Sequence, residues 1–390
     1  MRWLVPTTIA MALLAAPVVG AAPGPHGAID GPTDGSGALQ SPLRATQPGR
    51  TFTVAAVGDW LAENLVNSAA ASAAPPGVRY DHEPLLTAVT PLVQWADLAI
   101  CHMETPIGVP GAIAGYAGKG PYGTNLIAAP YELANDLRRV GFDRCSTASN
   151  HAYDLGTAGI ASTLDALDEA GLGHSGTART VAEAGATAHL LTVNGVTVAH
   201  LSYARNSNSG WPAEDWRIDK AVTATKVVQD AAAARAAGAE VVIVSLHVYV
   251  EMQTGPTADD RALVQQITSQ AGVDLVLVTG PHVIQPYEQV NGTWVFWSLG
   301  NFISGMGVPN RGKYSDPRTL DGLLATVRFT EQADGTWLAE PWAVLLCNVT
   351  GSRHVYPGVT TLQGSAISAT LRSQLQACVN RTVPVEPRVH

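Results

Sequence analysis

The sequence has few positive charges and no cluster of them. Its 390 residues contain 23 Lys and Arg against 32 Asp and Glu, which gives a formal net charge of −9. A nucleic-acid partner would require a basic stripe, so this class of function is excluded. Apart from the N-terminus, no stretch is long and apolar enough to span a bilayer. The hydrophobic fraction of 46% is ordinary for a globular protein with a large core.

Cysteine is also scarce. The four cysteines are Cys101, Cys145, Cys347 and Cys378, and no two of them form a Cys-x-x-Cys pair. A zinc ribbon or a dithiol redox motif is therefore not indicated. In an exported protein these residues would allow two disulfides, and otherwise they would be buried thiols.

The N-terminus has the pattern of a secretory signal peptide. "MRWLVPTTIAMALLAAPVVGA" has one arginine, an apolar stretch and small residues at its end, which predicts a signal peptide over 1–21 and a secreted protein. Residues 22–50 are rich in Gly, Pro and Ala and are interpreted as a disordered linker. The folded catalytic domain is predicted over 51–390. If the start codon is misassigned, the protein would instead be cytoplasmic.

Buried strands alternate with helices in the first half of the chain, and hairpins follow, which predicts an α/β domain with mixed sheets. Helices are predicted over 84–96, 131–141, 157–171, 221–237, 257–271 and 362–378. Buried strands are predicted over 51–60, 97–105, 142–151, 240–247 and 273–280. Hairpins are predicted over 187–204, 283–301 and 323–346, the first two with Asn-Gly turns.

Polar residues gather where five of these strands end. They are Asp59, His102, Glu104, Asn150, His151, Asp154, His247, Glu251 and His282. Because sites in α/β sheets lie beyond the carboxyl ends of the strands, these side chains are expected to converge on one pocket. Carboxylate, imidazole and amide oxygen are ligands that a divalent cation prefers.

Several blocks together resemble the CapA family, which is associated with poly-γ-glutamate capsule synthesis. They are "GDW", "ADLAICHMETP", "GFDRCSTASNHAYDLGTAGIASTLDALDEAG", "VVIVSLH" followed by "GP", and "GPHVIQPYEQVNGTWVFWSLGNF". The resemblance covers about residues 52–304, and "SNHAYDLG" and "SLGNF" are its most specific blocks. It implies a calcineurin-like metallophosphoesterase fold: a four-layer α-β-β-α sandwich with two mixed sheets and a metal site at one edge.

The resemblance also implies roles for individual residues. His151 matches the general acid/base, and Asp154 is placed to orient it. The positions that match metal ligands are Asp59, Glu104, Asn150, His247 and His282.

Three departures from the family pattern fall on the metal site. Gly280 stands where the family carries a metal-ligating histidine, and Glu63 stands where a histidine follows the first Gly-Asp. "VYVE" replaces a Trp-Gly-x-Glu pattern after His247. The loss of nitrogen ligands favours one oxygen-rich divalent ion, Ca²⁺ before Mg²⁺, Mn²⁺ or Zn²⁺.

Because its departures fall on the metal site, the sequence resembles an offshoot of the family, the lasso-peptide epimerase. That enzyme inverts the Cα of a C-terminal tryptophan in a ribosomal precursor peptide, with His/Asp pairs around a calcium ion. The resemblance implies a two-base proton transfer. His151–Asp154 would be one pair, and the second would use His247 or His282 with Asp59, while His102 completes the site. Trp60 is either an aromatic wall for the indole or part of the core.

Two other functions are open. An exported protein would not meet a lasso precursor, and would instead be a CapA-like enzyme that makes or hydrolyses poly-γ-glutamate. A non-catalytic accessory protein would tolerate alanine at His151. The glycine-rich stretch 106–123 is interpreted as a flexible loop that clamps a peptide, or as a surface insertion.

Overall fold

Two mixed β-sheets lie face to face, and helices cover the outer face of each. The computed structural model describes residues 49–185, 189–270, 272–364 and 366–382. The predicted signal peptide and residues 22–48 of the predicted linker lie outside the described residues. Arg50, the last residue of that linker, is fixed by ion pairs with Glu240 and Glu331.

The strands lie between residues 51 and 357. In chain order they are β1 (Thr51–Trp60), β2 (Leu98–His102), β3 (Gly115–Lys119), β4 (Asn125–Ala128), β5 (Arg144–Ser146), β6 (Gly173–Ser175), β7 (Leu190–Val193), β8 (Val196–Ala204), β9 (Val241–His247), β10 (Leu275–Thr279), β11 (Ile284–Val290), β12 (Thr293–Leu299), β13 (Asn301–Ile303), β14 (Asp321–Glu331), β15 (Trp337–Asn348) and β16 (Val355–Pro357).

The first sheet has the order β16-β15-β14-β1-β2-β5-β6, with β13 also paired to β1. Its β1, β2, β5 and β6 run parallel, while β14 pairs with β1 in the antiparallel sense. The second sheet has the order β11-β12-β10-β9-β8-β7, with β8, β9, β10 and β12 parallel. Strands β3 and β4 form a separate hairpin. Both large sheets are therefore mixed.

Helices connect the strands and close the chain. In chain order they are α1 (Asn64–Ala73), α2 (Glu83–Leu86), α3 (Thr90–Gln94), α4 (Leu133–Val140), α5 (Gly156–Glu169), α6 (Ala224–Ala236), α7 (Ala258–Thr268), α8 (Gly358–Gln363) and α9 (Ala369–Thr382). Among the described residues, none of these helices combines the length and the apolar character needed to cross a bilayer.

Alternate residues of one strand pack into different core layers, because successive side chains point to opposite faces of a sheet. In β1, Ala55 and Val57 pack against α1 to α5, while Val54 and Ala56 face the second sheet. The outer face of the second sheet packs against α6 and α7. Burial on both faces explains the continuous apolar strands of the sequence. The predicted four-layer α-β-β-α sandwich with two mixed sheets is confirmed.

The described parts of the three predicted hairpins are confirmed. Strands β7 and β8 turn at Asn194-Gly195, and β11 and β12 turn at Asn291-Gly292. All four turn residues have positive φ, between 48° and 85°. Asn and Gly adopt this conformation readily, which is why the dipeptide predicted the turns.

Three sequence predictions are wrong in detail. The helix predicted over 84–96 is two short helices, α2 and α3, because Pro91 has no N–H with which to continue the first. The helix predicted over 362–378 is α8 and α9, separated by Gly364 in an extended conformation. The stretch 106–123 was interpreted as a flexible loop or as a surface insertion, and the flexible loop is wrong in that the stretch contains β3, which pairs with β4.

The four cysteines form two disulfides. Cys101–Cys145 joins neighbouring strands β2 and β5, and Cys347–Cys378 joins β15 to α9. Of the two alternatives that the sequence left open, the structure has the disulfides rather than buried thiols.

Candidate metal centre

The two sheets bring their strand ends together at one edge. Asp59 is the last residue but one of β1 and His102 ends β2 in the first sheet, while His247 ends β9 and His282 follows β10 in the second. A carboxylate oxygen of Asp59 lies 3.2 Å from Nδ1 of His282, and the other lies 3.7 Å from Nε2 of His102. The predicted convergence of the strand ends therefore occurs, and it spans both sheets.

Asp59 belongs to two groups of side chains that could each hold a metal ion. One group is Asp59, His102 and His247, and the other is Asp59, Glu104 and His282. Within each group, one ligand atom per residue lies within 4.8 Å of the others. All five residues are buried. The described residues thus offer two adjacent cation positions that share one carboxylate.

The hydrogen bonding of the two carboxylates fits a cation. Oδ1 of Asp59 and both carboxylate oxygens of Glu104 are buried without a hydrogen-bond partner. Burial and the nearby Asp59 hold the pKa of Glu104 well above its usual range. Buried oxygens of this kind are costly unless something positive lies between them. Two carboxylates among three imidazoles form a donor set suited to a divalent ion.

The charges around Glu104 also act on the histidines. Burial alone would lower the pKa of His282, but Glu104 and Asp59 outweigh it and raise the pKa to about 10. His102 has the opposite balance, because burial lowers its pKa to about 4 in spite of Asp59. Burial likewise holds the pKa of His247 well below its usual range. His102 and His247 are therefore neutral imidazoles, the form that binds metals.

His102 and His247 are held by each other and by neighbouring polar groups. Nε2 of His102 lies 3.0 Å from Nδ1 of His247, and the two rings stack with centroids 4.9 Å apart. Ser146 lies 2.8 Å from Nδ1 of His102, and Oδ1 of Asn150 lies 2.9 Å from Nε2 of His247. Both imidazoles are thus fixed in orientation behind the cavity described below.

His282 adopts a backbone conformation that is uncommon for a histidine. Its φ is +61°, in the left-handed region, and its Nδ1 lies 3.0 Å from Oδ1 of Asn301. Asn301 in turn pairs with Asp59 in register between β13 and β1. Strained conformations of non-glycine residues cluster at functional sites, where the surroundings hold them in place.

His151 and Asp154 form the predicted pair. Nδ1 of His151 lies 2.5 Å from Oδ2 of Asp154, and the same oxygen accepts the backbone N–H of Ile127 at 2.9 Å. Both residues lie in the tight turns between β5 and α5, three positions apart. The imidazole is mostly buried, and it reaches the wall of a cavity.

That cavity has a volume of about 230 Å³ and opens beside the metal centre. Asn150, His151 and His282 lie on its wall. Arg311 and Lys313 come from the segment after β13 and also line it. Of the nine polar residues at the predicted strand ends, Glu251 is the only other one on this wall. Asp59, His102, Glu104, Asp154 and His247 lie behind it.

Two of the departures from the family pattern have a structural explanation. Glu63 forms an ion pair with Arg311 at 2.8 Å, so it anchors the segment after β13 instead of joining the carboxylate cluster. Gly280 has a φ of +106°, and a Cβ there would lie 2.3 Å from Cδ1 of Tyr249. The Tyr249 ring also packs 5.0 Å from His247. Tyr249 therefore fills the space that a side chain at position 280 would need.

Trp60 belongs to the core. It is fully buried, with its ring 5.3 Å from Phe302 and 6.2 Å from His82. It does not line the cavity, so of the two sequence interpretations the structure supports core packing rather than an indole-binding wall.

Sequence reasoning missed several residues that support the site. Ser146 and Asn301 hold two of the imidazoles, and Asn208 and Ser209 lie beside the His151–Asp154 pair. The last two follow β8 in the stretch "RNSNSG", residues 205–210. Since β8 is parallel to β9, its carboxyl end lies at the same edge. The rule that selected the other strand ends would have found them.

The fold is thus a four-layer α/β sandwich, and buried carboxylates and imidazoles form a candidate metal centre at one edge of it. The chain belongs to the bacterial capsule synthesis protein PGA_cap family, whose model matches residues 53–306. The predicted membership of the capsule-synthesis family is therefore confirmed.

Curated relatives carry related names. The chain is 30% identical over 210 residues to the PGA biosynthesis protein CapA of Bacillus subtilis (strain 168), covering 54% of this chain and 53% of that protein. It is 26% identical over 185 residues to the capsule biosynthesis protein CapA of Bacillus anthracis, covering 46% and 44%. The chain thus spans about half the length of the curated relatives it matches.

One solved structure is a calcineurin-like phosphoesterase, YfkN from Bacillus subtilis. It aligns over 86% of this chain and 99% of its own chain, with a TM-score of 0.44 and 12% identity.

Proposed function

We propose that this chain is a metal-dependent enzyme of the capsule type that cleaves or transfers γ-glutamyl bonds of a poly-γ-glutamate polymer. The observation that carries the proposal is the arrangement at the cavity. There a His–Asp pair faces the same space as the imidazole of His282 and the amide of Asn150, directly in front of buried carboxylates. The names of the two curated relatives favour this capsule function over the peptide epimerase.

The residues that would hold a divalent ion are Asp59, Glu104, Asn150, His247 and His282. Such an ion would polarise a carbonyl group and lower the pKa of bound water, and the oxygen-rich donors favour Ca²⁺ or Mg²⁺. His102 would be a further ligand if the group of Asp59, His102 and His247 is filled as well.

The proton chemistry falls to His151. Its Nδ1 is engaged by Asp154, so its Nε2 is the atom that can take a proton from a nucleophile and return it to a leaving amine. Asp154 fixes the ring and stabilises the imidazolium that forms. Asn150 lies next to His151 and on the same wall, where its side chain can contact a substrate carbonyl.

A second candidate function is the two-base epimerisation of a peptide. It is favoured by one observation, the presence of both His151 and His282 on the wall of one cavity. Such a reaction needs two imidazoles that reach opposite faces of one carbon. His102 and His247 do not line the cavity, so the second base would be His282.

The test uses the purified protein with added metal or with EDTA. Poly-γ-glutamate is incubated with it, and chain length and new amino groups are measured by mass spectrometry. A change that requires both metal and His151 supports the capsule function. The control is His354→Ala, which removes an imidazole that stacks 6.2 Å from Tyr356 and does not line the cavity.

A parallel incubation in D₂O uses a peptide that ends in tryptophan. A metal-dependent gain of one mass unit in the intact peptide would support the epimerase instead. Capsule formation by cells that carry His151→Ala is measured as well. If polymer and peptide both remain unchanged and capsule formation is normal, the protein is an accessory factor and both enzyme proposals fail.

A further inference from the structure

A third element of the fold reaches the His151–Asp154 pair. The loop 205–210 follows β8 and carries Ser209, whose hydroxyl donates to Oδ1 of Asp154 at 2.7 Å. The same loop carries Asn208, whose Nδ2 lies 3.2 Å from Nε2 of His151. Two consecutive residues of one loop therefore contact the two ends of the pair.

The contacts of Asp154 fix the direction of its bond to His151. Oδ1 accepts from Ser209, and Oδ2 accepts from the backbone N–H of Ile127 at 2.9 Å. Asp154 is buried, and both of its oxygens already act as acceptors towards these donors. The hydrogen on its short bond to His151 must then be carried by Nδ1 of the imidazole.

The tautomer follows from this direction. An imidazole that carries its hydrogen on Nδ1 has a lone pair on Nε2, and a group beside Nε2 must donate to it. The amide of Asn208 presents its Nδ2 there, which is the donor end of that side chain. Asp154 and Asn208 therefore select the same tautomer from opposite sides of the ring.

The loop is held in place by contacts on both sides. The backbone N–H of Asn208 donates to the carbonyl of Asn150 at 2.8 Å, and its own carbonyl accepts the hydroxyl of Thr124 at 2.8 Å. Thr124 lies in the turn between β3 and β4, whose following residues supply Ile127. The loop is thus fixed between the turn that carries His151 and the β3–β4 hairpin.

We propose that Ser209 and Asn208 are positioning residues that set His151 with its Nε2 lone pair facing the cavity, ready to accept a proton. This role rests on the proposed function, in which His151 is the acid/base. Only one partner can use the lone pair of Nε2 at a time. The substrate group that reaches His151 therefore displaces Asn208, while Ser209 keeps its bond to Asp154 throughout.

The kinetic test compares Ser209→Ala with Ser207→Ala. Ser207 is on the same loop; its hydroxyl donates to the carbonyl of Gly210 and accepts the backbone N–H of Ser209 at 3.3 Å, and it does not contact the pair. A hydrogen bond to a charged group is worth enough that its loss should lower kcat about tenfold, with KM and metal content unchanged. Ser209→Thr, which keeps the hydroxyl, should restore most of kcat. Equal kcat values for Ser209→Ala and Ser207→Ala would overturn the role of Ser209.

A spectroscopic test does not depend on any substrate. The ¹⁵N resonances of the His151 ring, identified by their loss in His151→Ala, should report the tautomer with hydrogen on Nδ1 in the unmodified protein. Asn208→Ala should add a population with hydrogen on Nε2. Hydrogen on Nε2 in the unmodified protein would overturn the proposal, even if the enzyme cleaves poly-γ-glutamate. An inactive protein with the expected tautomer would overturn the proposed function and leave the positioning intact.

Discussion

Replacing Glu104 with glutamine tests whether the buried carboxylates exist to hold a cation. Both oxygens of Glu104 and one oxygen of Asp59 are buried without a hydrogen-bond partner. Without a metal, this arrangement should destabilise the fold, because burial and Asp59 oppose the charge of Glu104 more strongly than the nearby imidazole of His282 supports it, so that its pKa is well above its usual range. The Glu104→Gln variant removes this charge and keeps the shape of the side chain.

The size of the effect has an upper bound. A carboxyl with an ordinary pKa of 4.5 can be protonated at pH 7 for about 3 kcal/mol, so repulsion beyond that value would only neutralise the group. Removing the charge should therefore raise the free energy of unfolding of the metal-free protein by up to about 3 kcal/mol. For a folded unit of roughly 340 residues the unfolding entropy is about 0.7 kcal/mol/K, so Tm should rise by about 4 °C.

The assay is thermal unfolding followed by circular dichroism, in EDTA and in excess Ca²⁺ or Mn²⁺. We expect the metal to raise Tm of the unmodified protein, and Glu104→Gln to lose at least half of that rise while gaining stability in EDTA. Glu340→Gln is the matched control, because it makes the same chemical change on an exposed strand position. A lower Tm of Glu104→Gln in EDTA, or an undiminished response to metal, would refute the reasoning.

Three further predictions concern stability, and each is measured by urea denaturation. Gly280→Ala adds a Cβ 2.3 Å from a tyrosine ring, whereas Gly292→Ala at a similar positive φ meets nothing within 4 Å. Gly280→Ala should therefore cost about 1–3 kcal/mol more, and equal costs would exclude the steric effect. Replacing Cys347 and Cys378 together by serine opens a link with a sequence separation of 31, which should cost about 3–4 kcal/mol; an unchanged midpoint would contradict this. Burial raises the pKa of Asp219 from 3.8 to about 6 despite its lysine partner, so the folded state keeps a proton that the unfolded chain has lost. The contribution of Asp219 to the unfolding free energy should then fall as pH rises from about 4 to 6, and Asp219→Asn should make the slope in this range less steep by that amount.

The ligands of the candidate metal centre could be predicted from the sequence because each one sits at a strand end. Parallel strands carry their carboxyl ends to one edge of a sheet, which is enough to predict that His247 and His282 meet. Asp59 joins them because the two sheets pack face to face. The Asn-Gly turns were predictable for a local reason, since only a few residues adopt positive φ readily. In both cases a short segment carries the whole signal.

What the sequence could not predict depends on distant partners. The β3–β4 hairpin is rich in glycine and shows no alternation of apolar residues, so nothing local marks it as strand. From the sequence, Glu63 is interpreted as the replacement of a metal ligand, and only the structure shows its ion pair with Arg311. Tyr249 has no motif, and its importance follows only from the space above Gly280.

The position of β1 in its sheet has a consequence for how the chain is made. Thr51 pairs with Thr330, so the strand that carries Asp59 finds its long antiparallel neighbour β14 only after residue 330 has been made. A ribosome that has completed the family-matched segment, residues 53–306, has not yet released β14. Until then one edge of β1 presents unpaired N–H and C=O groups, which can pair with other nascent chains. The growing chain should therefore depend on chaperones, and the metal centre should assemble only once β14 has been made.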